Sequence, residues 1–265
     1  MNRTTAGPLS ALLTVAVAVA VAAAALSPPV GASAGRHPRC DQPGPYDLPH
    51  TSQPVDLDPA DFTTEIDNPY WPMVPGTTWV YAETDPQGTR LRVEVTVTRR
   101  TRIIRGIEAV VVHDVVTEHG ELVENTFDWY AQDSGGSIWY LGEHTREYEN
   151  GVVVSSAGSF EYGVDGAQAG IAVPAAPVAG CSYRQEYYDG EAEDRARVLT
   201  VRDDIRVRGH KYRDVLTTSD RVPLEPFVLE HKFYARGVGP VLAVEVSPGA
   251  TREVLLTKTG PTRRR

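Results

Sequence analysis

The main pattern along this chain is an alternation of apolar and polar residues at every second position. In Leu91–Thr98 the period is strictly two, which is typical of a strand with one buried and one solvated face. Similar short stretches recur between turns, and 23 Gly and 20 Pro divide the chain too finely for long helices. The pattern predicts an all-β protein, either an antiparallel sheet or a barrel-like sandwich.

An aromatic hairpin is predicted over 127–144, which holds two of the four Trp. Two alternating strands flank a turn at 133–136, where Gly supplies the positive φ that a tight hairpin needs. A titratable pair, Glu143 and His144, follows directly behind the aromatic residues. This hairpin is the most prominent feature of the first half of the chain.

The second half of the chain repeats features of the first at an offset of 104 residues. The matched pairs are Gly76/Gly180, Trp79/Tyr183, Trp129/Phe233, Tyr130/Tyr234 and Ala131/Ala235. Coincidence between two β-rich stretches is the alternative. We expect one β domain over 62–260, built from two related meanders, 75–142 and 179–260. A Gly/Pro-rich insert at 143–178 has no counterpart in the other half.

The N-terminal region has the features of an export signal. Arg3 precedes an apolar run at 11–26, and a small-residue cleavage site follows at 32–34. We expect a signal peptide over 1–34, an extended Pro-rich arm over 35–61 and a basic tail at 261–265. A retained membrane anchor is the alternative, but Pro28 and Pro29 and the cleavage site argue against it. The predicted location is therefore secreted, with no membrane anchor.

The chain has two cysteines, Cys40 and Cys181, which export would bring into an oxidising environment. We expect them to form a disulfide that pins the arm to the body, and two separate thiols are the alternative. A loop of this length would stabilise the fold by at most about 5 kcal/mol in the chain-entropy model.

Charge and motif content exclude several functions. The formal net charge of −9 argues against a nucleic-acid partner. Metallopeptidase, nucleotide-binding and serine-hydrolase motifs are absent from the sequence. An acidic run at 189–194 offers hard oxygens for Ca²⁺, but its spacing is not that of an EF-hand, and a solvated turn is the alternative. No metal and no cofactor is predicted.

Candidate site residues lie where the insert meets the two meanders. A histidine near carboxyl groups suits acid–base chemistry, and aromatic residues could form the wall of a binding site. The candidate catalytic residues are His144, Glu143 and Glu186, and the candidate binding residues are Tyr70, Trp71, Trp139, Tyr140 and Glu147. The alternative is that 143–147 is a solvated strand end. The pairs His113–Asp114 and Glu230–His231 are expected on solvated strand faces.

Several motifs resemble a family of secreted bacterial proteins, many of them actinobacterial. They are Asn-Pro-Tyr-Trp-Pro at 68–72, Pro-Gly at 75–76, Trp-x-Tyr at 79–81, Asp-Trp-Tyr-Ala-Gln-Asp at 128–133 and Trp-Tyr-Leu-Gly-Glu at 139–143. The resemblance extends from Phe62 to about Lys258. It implies export and a shared fold, and it supplies no catalytic residue.

Three functions are compatible with the sequence. The first is a secreted protein that binds a small apolar or amphipathic ligand in an aromatic-lined β cavity. The second is a secreted enzyme, hydrolase-like or cyclase-like, that uses His144 with nearby carboxylates. A cell-surface interaction role for the Pro-rich segment at 69–72 is a third possibility. A binding protein would tolerate the loss of His144, whereas an enzyme that uses His144 would not.

Overall fold

The structure, a computed structural model, describes residues 39–85, 87–249 and 251–261. The predicted signal peptide and most of the basic tail lie outside these residues. A short 3₁₀ turn at Pro59–Asp61 precedes seventeen strands. The strands are β1 (Phe62–Thr63), β2 (Thr78–Thr84), β3 (Arg90–Ile104), β4 (Ile107–Glu118), β5 (Glu121–Asp133), β6 (Ile138–His144), β7 (Glu147–Glu149), β8 (Val152–Ser155), β9 (Phe160–Glu161), β10 (Gln168–Val173), β11 (Ser182–Arg184), β12 (Glu186–Tyr187), β13 (Arg195–Val207), β14 (His210–Val222), β15 (Glu225–Ala235), β16 (Gly239–Ser247) and β17 (Arg252–Thr259).

The strands form a nearly closed antiparallel barrel. Strands β2 to β6 pair in sequence order, and so do β13 to β17. One seam is closed by β17 against β2, and the other by β10, which pairs with β6 on one side and β12 on the other. The adjacent strand β11 pairs with β13 and completes the circuit. The predicted all-β, barrel-like architecture is confirmed.

The two predicted meanders share several local features. Trp79 is the second residue of β2, and Tyr183 is the second residue of β11. The hairpins β3–β4 and β13–β14 both turn through Arg-Gly pairs, at 105–106 and 208–209, with positive φ at all four residues. Such φ values define the I′ turns that suit the twist of antiparallel strands. The common order of strands is compatible with an internal duplication, which itself stays a prediction.

The N-terminal arm runs along the outside of the barrel. Cys40 is bonded to Cys181, with 5.6 Å between their Cα atoms, so the predicted disulfide is confirmed. Leu48 and Leu57 bury their side chains, and Tyr46 packs on Trp139 at a ring distance of 5.5 Å. The arm is therefore an ordered outer layer over part of the sheet.

The core fills the interior of the barrel. Alternate residues of β2 and β3 are buried, among them Trp79, Tyr81 and Val95. The described residues contain no helix long and apolar enough to cross a membrane. Unlike most cores, this one also contains many carboxyl groups.

Candidate functional site

A β-bulge between β5 and β6 brings two site residues onto the inner face of the barrel. Trp129 lies opposite Gly142 and Tyr130 lies opposite Tyr140, so β6 has one extra residue there. A Cβ at Gly142 would lie 2.3 Å from the Phe160 carbonyl oxygen, and its φ of +142° also favours glycine. The bulge shifts the alternation of inward-facing and outward-facing side chains by one residue. As a result, Tyr140 and Glu143 both face the barrel interior.

A short hydrogen-bonded chain joins two buried carboxyl groups through one phenol. The Tyr140 hydroxyl lies 2.8 Å from Asp128 Oδ1 and 3.0 Å from Glu143 Oε2. A phenol has a single proton, so one of the two carboxyl groups must be protonated and donate to Tyr140. Burial raises the pKa of Asp128 to about 7. Burial and the Asp128 charge raise the pKa of Glu143 well above its usual range.

Lys232 is a buried cation in the barrel interior. Its Nζ lies 3.2 Å from Asp220 Oδ2 and 3.2 Å from Glu230 Oε2. Burial alone would lower the pKa of Lys232, but Glu230 and Asp220 outweigh burial and raise it. The ammonium group therefore stays charged and neutralises part of a strongly acidic surrounding.

Carboxyl groups greatly outnumber this cation inside the barrel. Burial, followed by repulsion from neighbouring acids, raises the pKa of Glu83 to about 8. The pKa of Glu124 also reaches about 8, chiefly through burial. Burial is the largest cause of a raised pKa in the rest of this set as well: Asp114, Glu186, Glu230 and Glu253. Ionising all of these carboxyl groups in one enclosed space is unfavourable, which favours the protonated form of each, although Lys232 opposes this effect at Glu230.

A small cavity lies where the aromatic and acidic parts of the interior meet. It encloses about 30 Å³ and is lined by Asp114, Asp128, Gln185, Lys232 and several aromatic rings. Asp114 Oδ1 and Gln185 Oε1 are buried and have no hydrogen-bond partner among the described residues. Buried polar atoms are rarely left so, since each costs about 1–3 kcal/mol. Two residues that line the cavity thus each have a buried polar atom without a partner.

Aromatic side chains form the wall on the other side of the cavity. Tyr130 stacks on Tyr140 at a ring distance of 4.8 Å, and Trp71 lies 5.4 Å from Tyr130 and 6.2 Å from Tyr234. Trp71 is 8% exposed, and its Nε1 is buried with no partner among the described residues. Trp71 therefore lines the cavity and also reaches the protein surface.

Polar contacts hold the segment around Trp71, residues 66–73, which we term the plug. Asn68 Nδ2 donates to the Gly136 carbonyl at 2.9 Å, and the Gly237 N–H donates to the Pro69 carbonyl at 2.8 Å. Arg236 Nη2 donates to the Tyr70 hydroxyl at 2.7 Å. The plug is thus anchored to one hairpin of each meander, which explains its run of Asn, Pro and aromatic residues.

The structure brings some of the sequence-predicted residues together and separates others. Glu143, Glu186, Tyr140 and Trp71 all face the barrel interior, and Glu186 is among the charges that raise the pKa of Glu143. His144 is exposed on the outer face, because consecutive strand residues point to opposite sides.

The remaining predicted residues lie around this interior. Trp139 is buried under the arm on the outer face, and its Nε1 donates to Asp133. Tyr70 is buried beneath Arg236. Glu147 is half-buried opposite Glu124, at the margin of the acidic interior.

Sequence reasoning missed the inward-facing charges of the central strands. Asp114 was expected on a solvated face, yet it is 6% exposed and lies in the interior. Glu230 is partly exposed, and its carboxylate pairs with the buried Lys232. The sequence of β4 contained a clue to this, because Val112, Asp114 and Val116 are two positions apart and therefore lie on the same face of the strand. A charged residue in line with buried valines indicates an inward charge.

No group of three or more His, Cys, Asp or Glu side chains among the described residues is arranged to hold a metal ion. In the acidic run, Asp189 accepts from the Tyr187 hydroxyl and Glu193 accepts from the Gly190 N–H. These are local contacts of a turn.

Comparisons with known proteins give only distant matches. No family model and no curated protein matches the chain. A crystal structure from Bacteroides fragilis, assigned as an exported protein with a YmcC-like fold, is 10% identical and covers 72% of this chain and 99% of its own, with a TM-score of 0.44. A crystal structure assigned as a lipoprotein, from Parabacteroides distasonis, is 12% identical and covers 72% of this chain and 98% of its own, with a TM-score of 0.39.

Proposed function

We propose that this is a secreted protein that binds a small amphipathic ligand inside the barrel. The observation that carries the proposal is the pair of unpartnered buried acceptors, Asp114 Oδ1 and Gln185 Oε1, on one cavity. A ligand with N–H donors would satisfy them, and the aromatic wall would cover its apolar part.

The charge of the interior favours a ligand with an ammonium group. Carboxyl groups outnumber the single lysine among the interior groups described above, and the faces of Tyr130 and Tyr140 also attract cations. A bound ammonium would lower the pKa of Asp114 and Asp128, so that a carboxylate forms as the ligand enters. An aliphatic amine with a short apolar chain matches both the acidic and the aromatic lining of the cavity.

Entry of such a ligand requires movement of the plug. A cavity of 30 Å³ has room for about two water molecules. Withdrawal of Trp71 would enlarge it, and the buried unpartnered Nε1 of Trp71 lowers the free energy that this movement requires. The plug then acts as a gate.

Export is supported by the disulfide between Cys40 and Cys181, since such bonds persist in oxidising compartments. The small-molecule partner and secretion fit one role, capture of a solute outside the cytoplasm.

Isothermal titration calorimetry with octylamine, octanol and octanoate at pH 8 tests this proposal. We expect octylamine to bind most tightly and octanoate most weakly, because the interior repels a carboxylate. Asp114→Asn should weaken octylamine binding about 10- to 100-fold, the effect of losing one charge-assisted hydrogen bond. Asp204→Asn, an exposed residue paired with Lys211, is the matched control and should bind as the wild type does.

Equal affinities for octylamine and octanoate would contradict the proposed charge preference. Unchanged binding in Asp114→Asn would contradict the proposed location.

A second candidate is acid–base catalysis by the Asp128–Tyr140–Glu143 chain. Carboxyl groups whose environments move their pKa values apart are typical of hydrolase-like and cyclase-like sites. His144 has no part in it, because its side chain lies on the outer face. Tyr140→Phe distinguishes the two candidates, since an enzyme would lose any activity found by substrate screening and a binding protein would keep octylamine affinity within a few-fold.

A further inference from the structure

A row of arginines crosses the outer face of the barrel at the seam between β11 and β14. Arg184 of β11 pairs with Arg195 of β13, and Arg195 pairs with Arg221 of β14. Arg197 lies two residues further along β13, opposite Ser182 and Ser219. Neighbouring strands are about 4.8 Å apart, so the three paired arginines span roughly 10 Å. Like charges directly opposite each other destabilise a sheet.

This positive charge has no acidic partner in the part of the chain that the structure describes. No ion pair joins Arg195, Arg197 or Arg221 to a carboxylate of residues 39–85, 87–249 or 251–261. The side chain of Arg184 is almost fully buried and is held entirely by main-chain carbonyls. Its Nη1 donates to Thr51 and Gln53 at 2.6 and 2.7 Å, and its Nε and Nη2 donate to Ala169.

Arg184 keeps its charge in this setting. Burial lowers its pKa only to about 10, so the guanidinium is protonated at neutral pH. Carbonyl groups orient it but do not neutralise it. In a chain with a net charge of −9, an unneutralised row of arginines indicates a role in recognition.

The arginines line a groove on one side, and apolar residues line it on the other. The groove encloses about 610 Å³, within the range of small-molecule sites, and no Asp or Glu of the described residues lines it. Its apolar side is formed by Leu199, Val222, Pro223, Pro226 and Val228. Phe227 beside it is 64% exposed. The groove therefore offers charge to one end of a ligand and apolar surface to the other.

We propose that this groove binds an organic phosphate, with its phosphate on Arg195 and Arg221 and its apolar part against the Pro/Val wall. The planar guanidinium fork matches phosphate oxygens in a bidentate geometry, and an anion there relieves the repulsion along the row. This site lies on the outer face of the barrel and is separate from the interior cavity. A soluble phosphate ester and a phospholipid headgroup share this chemistry.

The test compares wild type, the double variant Arg195→Gln/Arg221→Gln and a control, Arg90→Gln/Arg206→Gln. Both double variants lose two positive charges, and the control arginines, Arg90 on β3 and Arg206 at the far end of β13, are exposed and do not line the groove. Calorimetry uses octyl phosphate and inorganic phosphate, and flotation uses phosphatidylcholine vesicles with and without phosphatidic acid. We expect the wild type and the control to bind octyl phosphate more tightly than inorganic phosphate. The groove variant should bind octyl phosphate at least about tenfold more weakly.

Each outcome assigns or overturns the site. Octyl phosphate binding without vesicle flotation identifies a soluble ester, and flotation with phosphatidic acid that the groove variant loses identifies a lipid headgroup. Equal affinity in the groove variant and the wild type would overturn the proposal, as would a wild type that binds neither probe.

A measurement without ligand provides an independent check. In low salt and without phosphate, the groove variant should melt a few degrees higher than the wild type, because the like-charge repulsion is gone. A lower melting temperature in the groove variant than in the control would mean that the arginine row stabilises the fold, and it would argue against a role in anion binding.

Discussion

Buried carboxyl groups make the stability of this barrel depend on pH in a defined direction. Burial raises the pKa of Asp128 to about 7 and the pKa of Glu83 and Glu124 to about 8. In the unfolded chain the same groups ionise near pH 4. Between about pH 4 and 8 the folded state therefore retains protons that the unfolded state releases. The contribution of these groups to the free energy of unfolding is therefore largest below about pH 4 and is lost as pH rises from there through their folded-state pKa values.

The expected size of this effect follows from the pKa of Asp128. Between pH 5 and pH 8, a carboxyl group with a folded-state pKa near 7 and an unfolded-state pKa near 4 lowers the free energy of unfolding by about 3 kcal/mol. Glu83 and Glu124 act in the same direction, but interacting groups do not add independently. A loss of a few kcal/mol is a large part of the 5–15 kcal/mol typical of folded proteins.

Urea unfolding at pH 5 and pH 8 measures this effect, with Asp128→Asn as the test variant. Asparagine can still accept a hydrogen bond from Tyr140 but cannot titrate. Between pH 5 and pH 8 the free energy of unfolding should therefore fall by about 1–3 kcal/mol less in the variant than in the wild type. Asp204→Asn, which removes an exposed carboxylate, should behave as the wild type does. Stability that is flat or rises from pH 5 to pH 8 would refute the reasoning. An Asp128→Asn variant with the wild-type pH dependence would do the same.

Three further predictions concern the bulge, the plug and the disulfide. Gly142→Ala should destabilise the fold by several kcal/mol in urea unfolding, because its Cβ would clash with the β9 main chain, whereas Gly120→Ala, with a positive φ but open space, should cost about 1–2 kcal/mol. Trp71→Ala should lower stability by about 3–5 kcal/mol and accelerate octylamine association in stopped-flow fluorescence, and an unchanged rate would argue against a gate. Reduction of Cys40–Cys181 should lower the melting temperature by an amount equivalent to about 2–5 kcal/mol, and an unaffected melting temperature would mean that the arm docks without the bond.

The fold was predictable because its periodicity is a local property of the sequence. Alternation in strands such as β3 reflects one inward and one outward face. The pairing of Cys40 with Cys181 followed from simple arithmetic, since two cysteines allow one bridge. The closure of the barrel through β10 and β12 was not predictable, because it depends on contacts between segments far apart in the chain.

The candidate site was only partly predictable because one extra residue changes which side chains point inward. Simple alternation through Gly142 would have placed Tyr140 and Glu143 on opposite faces, and the bulge reverses this. Glu143 and Glu186 were selected for their position at the insert, and the structure places both inside. Lys232 was missed because the local sequence of β15 does not show that this strand faces the same barrel interior as the acidic residues of β4 and β5.

The central claim, that a ligand enters the barrel, is tested most directly by photoaffinity labelling. An alkylamine that carries a diazirine on its chain would be irradiated with the folded protein at pH 8, and labelled peptides would be mapped by mass spectrometry. The account predicts labels on Trp71, Tyr130, Tyr140 or Tyr234, the aromatic wall of the cavity, that excess octylamine suppresses. Labels confined to exposed apolar residues such as Phe227 or Val152, with none on the aromatic wall, would contradict it.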